Sequence, residues 1–217
     1  MKRTTANRDL FEALGVFGLF CALSFASRYV AAALHVMALF GLLFPLAWGK
    51  ATGRWAKMGF TASNIAVALR WSVATGLISC LIGCLTVPEQ SLAPDAGLQL
   101  AVGVPMWLLL ASPCQEFFFR GWLQPRWETA LGRRWGLLVA TLAFSGWHYL
   151  LPIFGASPGS SFPLYTVRGL AATFAAGLLY GYGFQRTGSI LTPWLAHAMA
   201  GIMFVALGSG SYVRAGP

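Results

Sequence analysis

The sequence predicts an all-α protein, a polytopic transmembrane helical bundle of about seven spans with a polar cluster inside the bundle. Two features of the composition indicate this class. Of the 217 residues, 57% are hydrophobic and only 10% are charged, whereas a soluble domain has about 25% charged residues. The mean hydropathy of +0.66 agrees with this class. The third feature is the length of the apolar runs, several of which reach the roughly 17–25 residues of a membrane-spanning helix.

Seven apolar runs along the chain predict the spans. They cover residues 10–26, 29–48, 71–87, 98–122, 136–154, 168–185 and 189–207. No linker, low-complexity tract or convincing internal repeat separates them, so we expect residues 1–217 to form a single integral-membrane domain. The segment 55–70, between the second and third spans, is less apolar. We interpret it either as a helix along the inner membrane surface or as a plain cytoplasmic loop.

The placement of the basic residues predicts the orientation. They concentrate before the first span and in alternate loops, as Lys2, Arg3, Arg8, Lys50, Arg54, Lys57, Arg70, Arg126, Arg133, Arg134 and Arg186. By the positive-inside rule these segments, and with them the N-terminus, face the cytoplasm. The net charge of +9 is therefore explained by topology. Because no basic face interleaved with aromatic residues is visible, we expect a lipid bilayer and no nucleic acid as partner.

Ionisable residues within the predicted spans are few: Glu116, Arg120, His148, His197 and the more isolated His35. Such groups are costly in a membrane and usually face the bundle interior or a cavity, so they are candidates for a functional site. Glu116 and Arg120 are four residues apart with the acid first, the favourable order for a helical ion pair. That pair is interpreted as either structural or catalytic. His35 is expected to have a plain packing or hydrogen-bonding role.

The depths of three of these residues predict that they meet. Glu116, His148 and His197 lie ten, fourteen and eleven residues from the basic residues that flank their helices on the inner side. At a rise of 1.5 Å per residue these separations are about 15, 21 and 16 Å. One carboxylate and two imidazoles from three helices could therefore converge, which packing alone explains poorly.

A glutamate and two histidines at one depth are compatible with three chemistries. They could ligate zinc, as in metallohydrolases; they could relay protons in a transporter; or they could activate water and stabilise an oxyanion without a metal. No H-E-x-x-H motif is present, which weakens the zinc hypothesis, and inverted repeats typical of transporters are not clear. Cys114, beside the acid, is a further candidate nucleophile. Spacing alone leaves these alternatives open.

Three short motifs in order carry a resemblance to a known family. They are "QEFFFR" (Gln115 to Arg120), "FSGWH" (Phe144 to His148) and "HAMAG" (His197 to Gly201). With the flanks "FFFRGWLQPRW" and "GLLYGYGFQRTGSILTPWLAHA", the region of about 98–205 resembles the CPBP family of CAAX proteases and bacteriocin-processing enzymes, also called the Abi family. These are glutamic-type intramembrane endopeptidases, whose motifs are E-E-x-x-x-R, F-x-x-x-H and H-x-x-x-N or H-x-x-x-D.

The resemblance implies a hydrolase that cuts a peptide bond in a membrane-associated protein or peptide. In the family pattern, the acid at position 115 and His148 activate water, while His197 and the residue at position 201 stabilise the oxyanion. No cofactor is implied, and zinc is kept as the alternative. Related bacterial enzymes indicate the inner (cell) membrane as the location. The site residues that the resemblance implies are Gln115, Glu116, Arg120, His148 and His197 for catalysis, and Phe144 and Gly201 for substrate binding.

Two positions depart from the family pattern. Gln115 stands where the water-activating Glu is expected, and Gly201 where Asn or Asp is expected. A neutral amide cannot accept a proton from water, and loss of a general base costs about 10²–10⁴-fold in rate. Three hypotheses follow: an engineered Glu→Gln variant, transfer of the base role to Glu116, or a non-catalytic membrane scaffold or immunity protein that retains the fold. Because neighbouring helical residues point about 100° apart, Glu116 does not automatically replace Gln115.

Overall fold

The computed structural model describes residues 2–86, 92, 95–148, 150 and 167–207. In these ranges the backbone forms helices joined by turns. The α-helices are α1 (Lys2–Ala26), α2 (Ala31–Thr52), α3 (Ile65–Thr86), α4 (Ala96–Met106), α5 (Ser112–Glu116), α6 (Gln124–Leu131), α7 (Arg133–His148), α8 (Val167–Thr187) and α9 (Leu191–Ala206). Because α4, α5 and α6 are sections of one continuous helix, the described chain contains seven helical segments, one for each predicted span. Residues 1, 87–91, 93–94, 149, 151–166 and 208–217, which include the ends of two predicted spans, lie outside the described residues.

The surface of the bundle is suited to lipid. Four of the described helices are long and apolar enough to cross a membrane, namely Asn7–Ala26, Ala31–Thr52, Ile65–Thr86 and Ala96–Leu131, and Leu191–Ala206 is a shorter apolar helix. Only 17–28% of the most apolar window of each long helix is buried within the protein. Side chains such as Leu77 and Leu81 are more than half exposed. Apolar surface on this scale is stable in a bilayer and a liability in water, which confirms the predicted class.

The fourth span is a helix with two π-helical turns. These turns, Trp107–Ala111 and Phe117–Leu123, join α4 to α5 and α5 to α6. Pro105 and Pro113 flank the first turn, and proline removes a backbone donor from the helical hydrogen-bond ladder. π-Helical turns occur frequently at functional sites. The predicted span over 98–122 contains the first turn and nearly all of the second, and the sequence predicted neither turn.

The middle of this span is the axis of the bundle. Every residue from 112 to 124 is buried, because α5 and the second π-turn contact α2, α7, α8 and α9. Glu116 and Arg120 lie within this stretch. Their position on the most enclosed part of the chain, between several helices, follows from the near-continuous apolar sequence around them.

An aromatic core fixes α7 against this axis. The ring of Phe20, on α1, stacks on Phe118 at 4.2 Å and on Trp147 at 5.1 Å between centroids. Trp147 also donates a hydrogen bond from its indole Nε1 to Ser24 Oγ, at 2.6 Å. Since His148 follows Trp147 in the last turn of α7, these contacts set the position of the histidine.

The segment 55–70 has two parts. Trp55–Met58 forms one 3₁₀-helical turn, and α3 begins at Ile65, six residues before the predicted start of the third span. The surface helix is therefore limited to that turn, and residues 65–70 belong to the span. The carbonyl of Gly59 accepts a hydrogen bond from the backbone N–H of Ile190, at 2.9 Å, which joins this loop to the start of α9.

Candidate active site

A buried ion pair forms the centre of the site. Arg120 Nη1 lies 3.3 Å from Glu116 Oε1, and Arg120 Nε lies 3.3 Å from Glu116 Oε2. The two residues are 1% and 0% exposed. Arg120 also donates from Nη2 to the carbonyl of Gly177 on α8, at 3.0 Å. The pair predicted from the four-residue spacing is therefore present, and it connects the central helix to α8.

Glu116 also binds His197, which lies 81 residues away in the sequence. The distance from Glu116 Oε1 to His197 Nδ1 is 2.6 Å. A carboxylate accepts hydrogen bonds and does not donate them, so in this contact Nδ1 of His197 carries the proton. The His197 ring stacks on Tyr180 at 5.1 Å and contacts Trp107 at 5.6 Å between centroids. The imidazole is thus held by one hydrogen bond and two aromatic rings.

His148 is positioned by the backbone of its own helix. Its Nδ1 lies 2.7 Å from the carbonyl oxygen of Phe144. A carbonyl cannot donate, so Nδ1 carries the proton and Nε2 holds the lone pair of the neutral ring. The ring of His148 contacts Phe144, whose ring also contacts His197 and lies under the guanidinium of Arg120. The second imidazole therefore belongs to the same cluster.

The ring of Phe144 contacts three polar members of the cluster, namely Arg120, His148 and His197. The Arg120 guanidinium lies 3.9 Å above its ring centroid, and the rings of His148 and His197 lie 4.5 and 5.8 Å away. Gly177 allows this arrangement, because an added Cβ would lie 3.0 Å from Phe144 Cδ1. Phe144 is 1% exposed and supports the charged and imidazole groups. Contact between Phe144 and a substrate stays a prediction.

Gln115 is buried next to Glu116 in the chain, and its side-chain oxygen does not join the hydrogen bonds of the cluster. Its side-chain oxygen has almost no contact with solvent, and none of the described residues donates a hydrogen bond to it. Glu116, by contrast, has one oxygen bonded to His197 and the other beside Arg120. The two neighbouring residues therefore have different surroundings, as their difference in direction on a helix leads one to expect.

The space beside Gly201 is filled by Trp107. A Cβ built on Gly201 would overlap the fused bond of the Trp107 indole, so a side chain at position 201 and this indole exclude each other. Trp107 and Tyr180 both contact His197, and neither was among the predicted site residues. Tyr180 lies in the flank "GLLYGYGF" noted in the sequence. Trp107 had no sequence signal, because it lies outside all three motifs.

Two further candidates from the sequence lie away from the cluster. His35 is exposed on α2, where its Nδ1 lies 3.2 Å from the carbonyl oxygen of Ala31, which agrees with a plain hydrogen-bonding role. Cys114 packs against α2, since a Cβ on Gly41 would lie 2.8 Å from its Sγ. The structure gives a nucleophilic role for Cys114 no support. Among the described residues, no three His, Cys, Asp or Glu side chains are arranged to hold a metal ion.

The fold and this cluster define a polytopic helical membrane protein with a buried glutamate, arginine and two histidines at its centre. The family model described as Rce1-like, type II CAAX prenyl endopeptidase, matches residues 97–203. This match covers just under half of the chain, and it confirms the resemblance drawn from the sequence. No curated protein and no solved structure matches the chain. The matched residues run from α4 into α9 and include every residue of the cluster.

Proposed function

We propose that this protein is an intramembrane endopeptidase that hydrolyses a peptide bond in a membrane-associated protein or peptide without a metal. The match of residues 97–203 to the Rce1-like family model supports a protease of the CAAX type. The observation that carries the proposal is the 2.6 Å contact between Glu116 and His197, with His148 in the same buried cluster. A carboxylate-held imidazole beside a second, differently held imidazole is typical of hydrolytic sites.

His148 is the general base in this proposal. With Nδ1 donating to the Phe144 carbonyl, Nε2 is the nitrogen that can take a proton from water. The water oxygen bonds to the carbonyl carbon of the substrate, and the electron pair of the C=O π bond moves to its oxygen. The C–N bond then breaks, and the proton held by His148 passes to the leaving nitrogen. The products are one carboxyl and one amino end.

His197 stabilises the negative charge that develops on the substrate oxygen. Its Nδ1–H is bonded to Glu116, so the protonated ring can direct Nε2–H at that oxygen, and Glu116 supplies the counter-charge. Arg120 holds Glu116 in place. Because Oε1 of Glu116 is bonded to His197, Oε2 lies 3.3 Å from Arg120 Nε, and the residue is fully buried, we assign Glu116 to the support of His197 and not to the abstraction of a proton.

Gln115 positions the water in this scheme. Its amide is not basic, but its buried oxygen, which has no donor among the described residues, can accept a hydrogen bond from the attacking water. Orientation of a water molecule by a glutamine is a known means of assisting attack in other enzymes. This protein is therefore a slow enzyme in which the amide of Gln115 holds the water and His148 deprotonates it.

The proposed setting is the inner membrane of a bacterial cell, with the N-terminus in the cytoplasm. The basic residues in the first two turns of α1, and those from the last turn of α2 to the first turns of α3, support this orientation. Contacts of α1 and α2 with the helices of the matched region support a single domain over 1–217. Two single-cysteine variants test the orientation. Lys50→Cys and Glu89→Cys are each introduced into a chain whose four native cysteines have been replaced. An impermeant thiol reagent added to intact cells should label only the cysteine at position 89.

The peptidase proposal is tested in a host strain that lacks the gene. The strain is complemented with the parent chain, with His148→Ala, or with His35→Ala as a matched control on an exposed helical histidine. New peptide ends in membrane proteins are identified by mass spectrometry. We expect the same new ends with the parent and His35→Ala, and their loss with His148→Ala at equal accumulation in the membrane. Equal processing by all three, or no processing by the parent, would contradict the proposal.

The alternative function is that of a non-catalytic membrane scaffold or immunity protein. The absence of an acid at Gln115 and of an amide or acid at Gly201 favours it. A scaffold would keep its phenotype in the His148→Ala strain provided that the protein accumulates. Zinc is a third outcome of the same experiment: processing that stops with a chelator and resumes with added zinc would replace the metal-free mechanism.

A further inference from the structure

We propose that Trp107 donates its indole N–H to the substrate oxygen and so replaces the side chain missing at Gly201. This inference rests on the peptidase function proposed above. The site then has a second oxyanion donor. This donor is the first residue of the first π-turn and lies outside the three sequence motifs. Three observations on Trp107 carry this inference.

The first observation is that the Trp107 indole occupies the space next to Gly201. A Cβ on Gly201 would overlap the Trp107 atoms Cδ2, Cε2 and Cε3. Cε2 is the carbon to which the indole Nε1 is bonded, so the N–H lies next to the volume that a side chain at position 201 would enter. An asparagine at 201 would bring an amide N–H into this volume. In this chain an indole N–H is there in its place.

The second observation is that this N–H is buried without a partner. Trp107 Nε1 has almost no contact with solvent, and none of the described residues accepts a hydrogen bond from it. An unpaired buried donor is costly. Trp194, nearby on α9, satisfies its own Nε1 at the carbonyl of Leu108, at 2.8 Å. The N–H of Trp107 is thus available for an acceptor that enters the site.

The third observation is the proximity to His197. The Trp107 and His197 rings are 5.6 Å apart between centroids, at an angle of 49°. Trp122 and Trp127 also have buried Nε1 atoms without a described acceptor, but both belong to the aromatic core around Phe20. Of the three, Trp107 is the one whose ring contacts an imidazole of the cluster. It begins the first π-helical turn, a feature frequent at functional sites.

The chemistry required of Trp107 is the donation of a hydrogen bond without transfer of its proton. When water attacks, the carbonyl oxygen gains negative charge and accepts from Nε2–H of His197 and Nε1–H of Trp107. When the C–N bond breaks, the charge returns to the C=O bond and both donors keep their protons. Removal of one such donor lowers kcat by about 10²–10³-fold in a known hydrolase.

The test compares variants that remove an indole N–H and keep an aromatic ring. Trp107→Phe and the control Trp122→Phe, full-length and in proteoliposomes, are incubated with membrane proteins extracted from the gene-deleted host. The rates at which parent-dependent peptide ends appear are measured at several extract concentrations. We expect Trp107→Phe to lower kcat by about 10²-fold or more with little change in KM. Trp122→Phe should process at close to the parent rate.

A rescue experiment separates a donor from a packing role. Trp107→Ala removes both the N–H and the ring, and the double variant Trp107→Ala with Gly201→Asn places an amide in the emptied space. We expect the single variant to be inactive and the double variant to recover at least tenfold, a coupling that independent sites do not show. Thermal midpoints in detergent verify that each variant is folded.

The outcomes distinguish the two proposals. A parent rate equal to that of His148→Ala would overturn the peptidase function, and the role of Trp107 with it. A peptidase that depends on His148 but keeps its full rate in Trp107→Phe would overturn only the role of Trp107. An equal loss in Trp107→Phe and Trp122→Phe would likewise assign the effect to packing.

Discussion

Oε1 of Glu116 and Nδ1 of His197 lie 2.6 Å apart in the interior of the bundle. The same carboxylate pairs with Arg120, so one acid holds a cation on its own helix and an imidazole on α9. A buried charge is tolerated in a membrane protein when its partners are supplied in this way. The orientation of His197 therefore depends on the ion pair between Glu116 and Arg120.

Replacing Glu116 should affect stability as well as activity. Glu116→Gln leaves the buried guanidinium of Arg120 without a counter-charge, and breaking a buried pair from one side costs about 3–5 kcal/mol. We expect a loss of this size in the free energy of unfolding, measured by SDS titration in mixed micelles. Arg8→Gln is the control, because Arg8 is exposed and its pair with Glu12 lies at the surface; it should change little. Equal stability of the two variants would argue against the central pair.

Gly177 should not tolerate a side chain. A Cβ there would lie 3.0 Å from Phe144 Cδ1 and 3.3 Å from Arg120 Nη2, and overpacking of this kind costs about 1–3 kcal/mol. Gly177→Ala should therefore lower both the thermal midpoint and the processing rate. Gly18→Ala, with nothing within 4 Å of the new Cβ, should leave activity intact. A fully active and stable Gly177→Ala would show that α8 does not approach the cluster as closely as described.

Phe144 should matter for activity beyond its contribution to packing. Phe144→Leu removes the ring that faces Arg120 and both histidines, and a desolvated cation–π contact is worth about 2 kcal/mol. We expect processing per folded molecule to fall by about 10²-fold, because a small displacement of catalytic groups has effects of this order. Phe17→Leu, at the edge of the aromatic core, should lower stability and keep the specific activity. Similar specific activities would restrict Phe144 to packing.

An acid at position 115 should increase the rate. Gln115→Glu supplies the general base that the family pattern contains, and general bases contribute about 10²–10⁴-fold. The processing rate should rise by at least tenfold, while the thermal midpoint falls because a second carboxylate is placed beside Glu116. The combination of Gln115→Glu with His148→Ala should be inactive. A rate unchanged by Gln115→Glu would mean that position 115 does not contact the attacking water.

Much of the fold was predictable because membrane spans have a simple physical signature. The apolar runs predicted seven segments, and the described residues form seven, of which the third begins at Ile65. The π-helical turns were not predictable. They depend on how Pro105 and Pro113 are accommodated among the neighbouring helices, and hydropathy does not record this.

The site was predictable in its charged members and not in its aromatic ones. Depth along the helices suggested that Glu116, His148 and His197 converge, because an ionisable residue in a span needs a partner. Trp107 and Tyr180 have no such requirement, and aromatic residues are frequent throughout the chain. Their contacts with His197 depend on the rotation of α4 and α8, which short motifs do not specify.

The most direct test of the account is hydrolysis in H₂¹⁸O. The parent chain and His148→Ala, in proteoliposomes with a chelator, are incubated with membrane proteins of the gene-deleted host, and ¹⁸O in new C-terminal carboxyl groups is counted by mass spectrometry. Metal-free attack of water deprotonated by His148 predicts ¹⁸O-labelled ends with the parent and none with His148→Ala. Labelled ends in equal number with both chains, or none with the parent until zinc is restored, would contradict it.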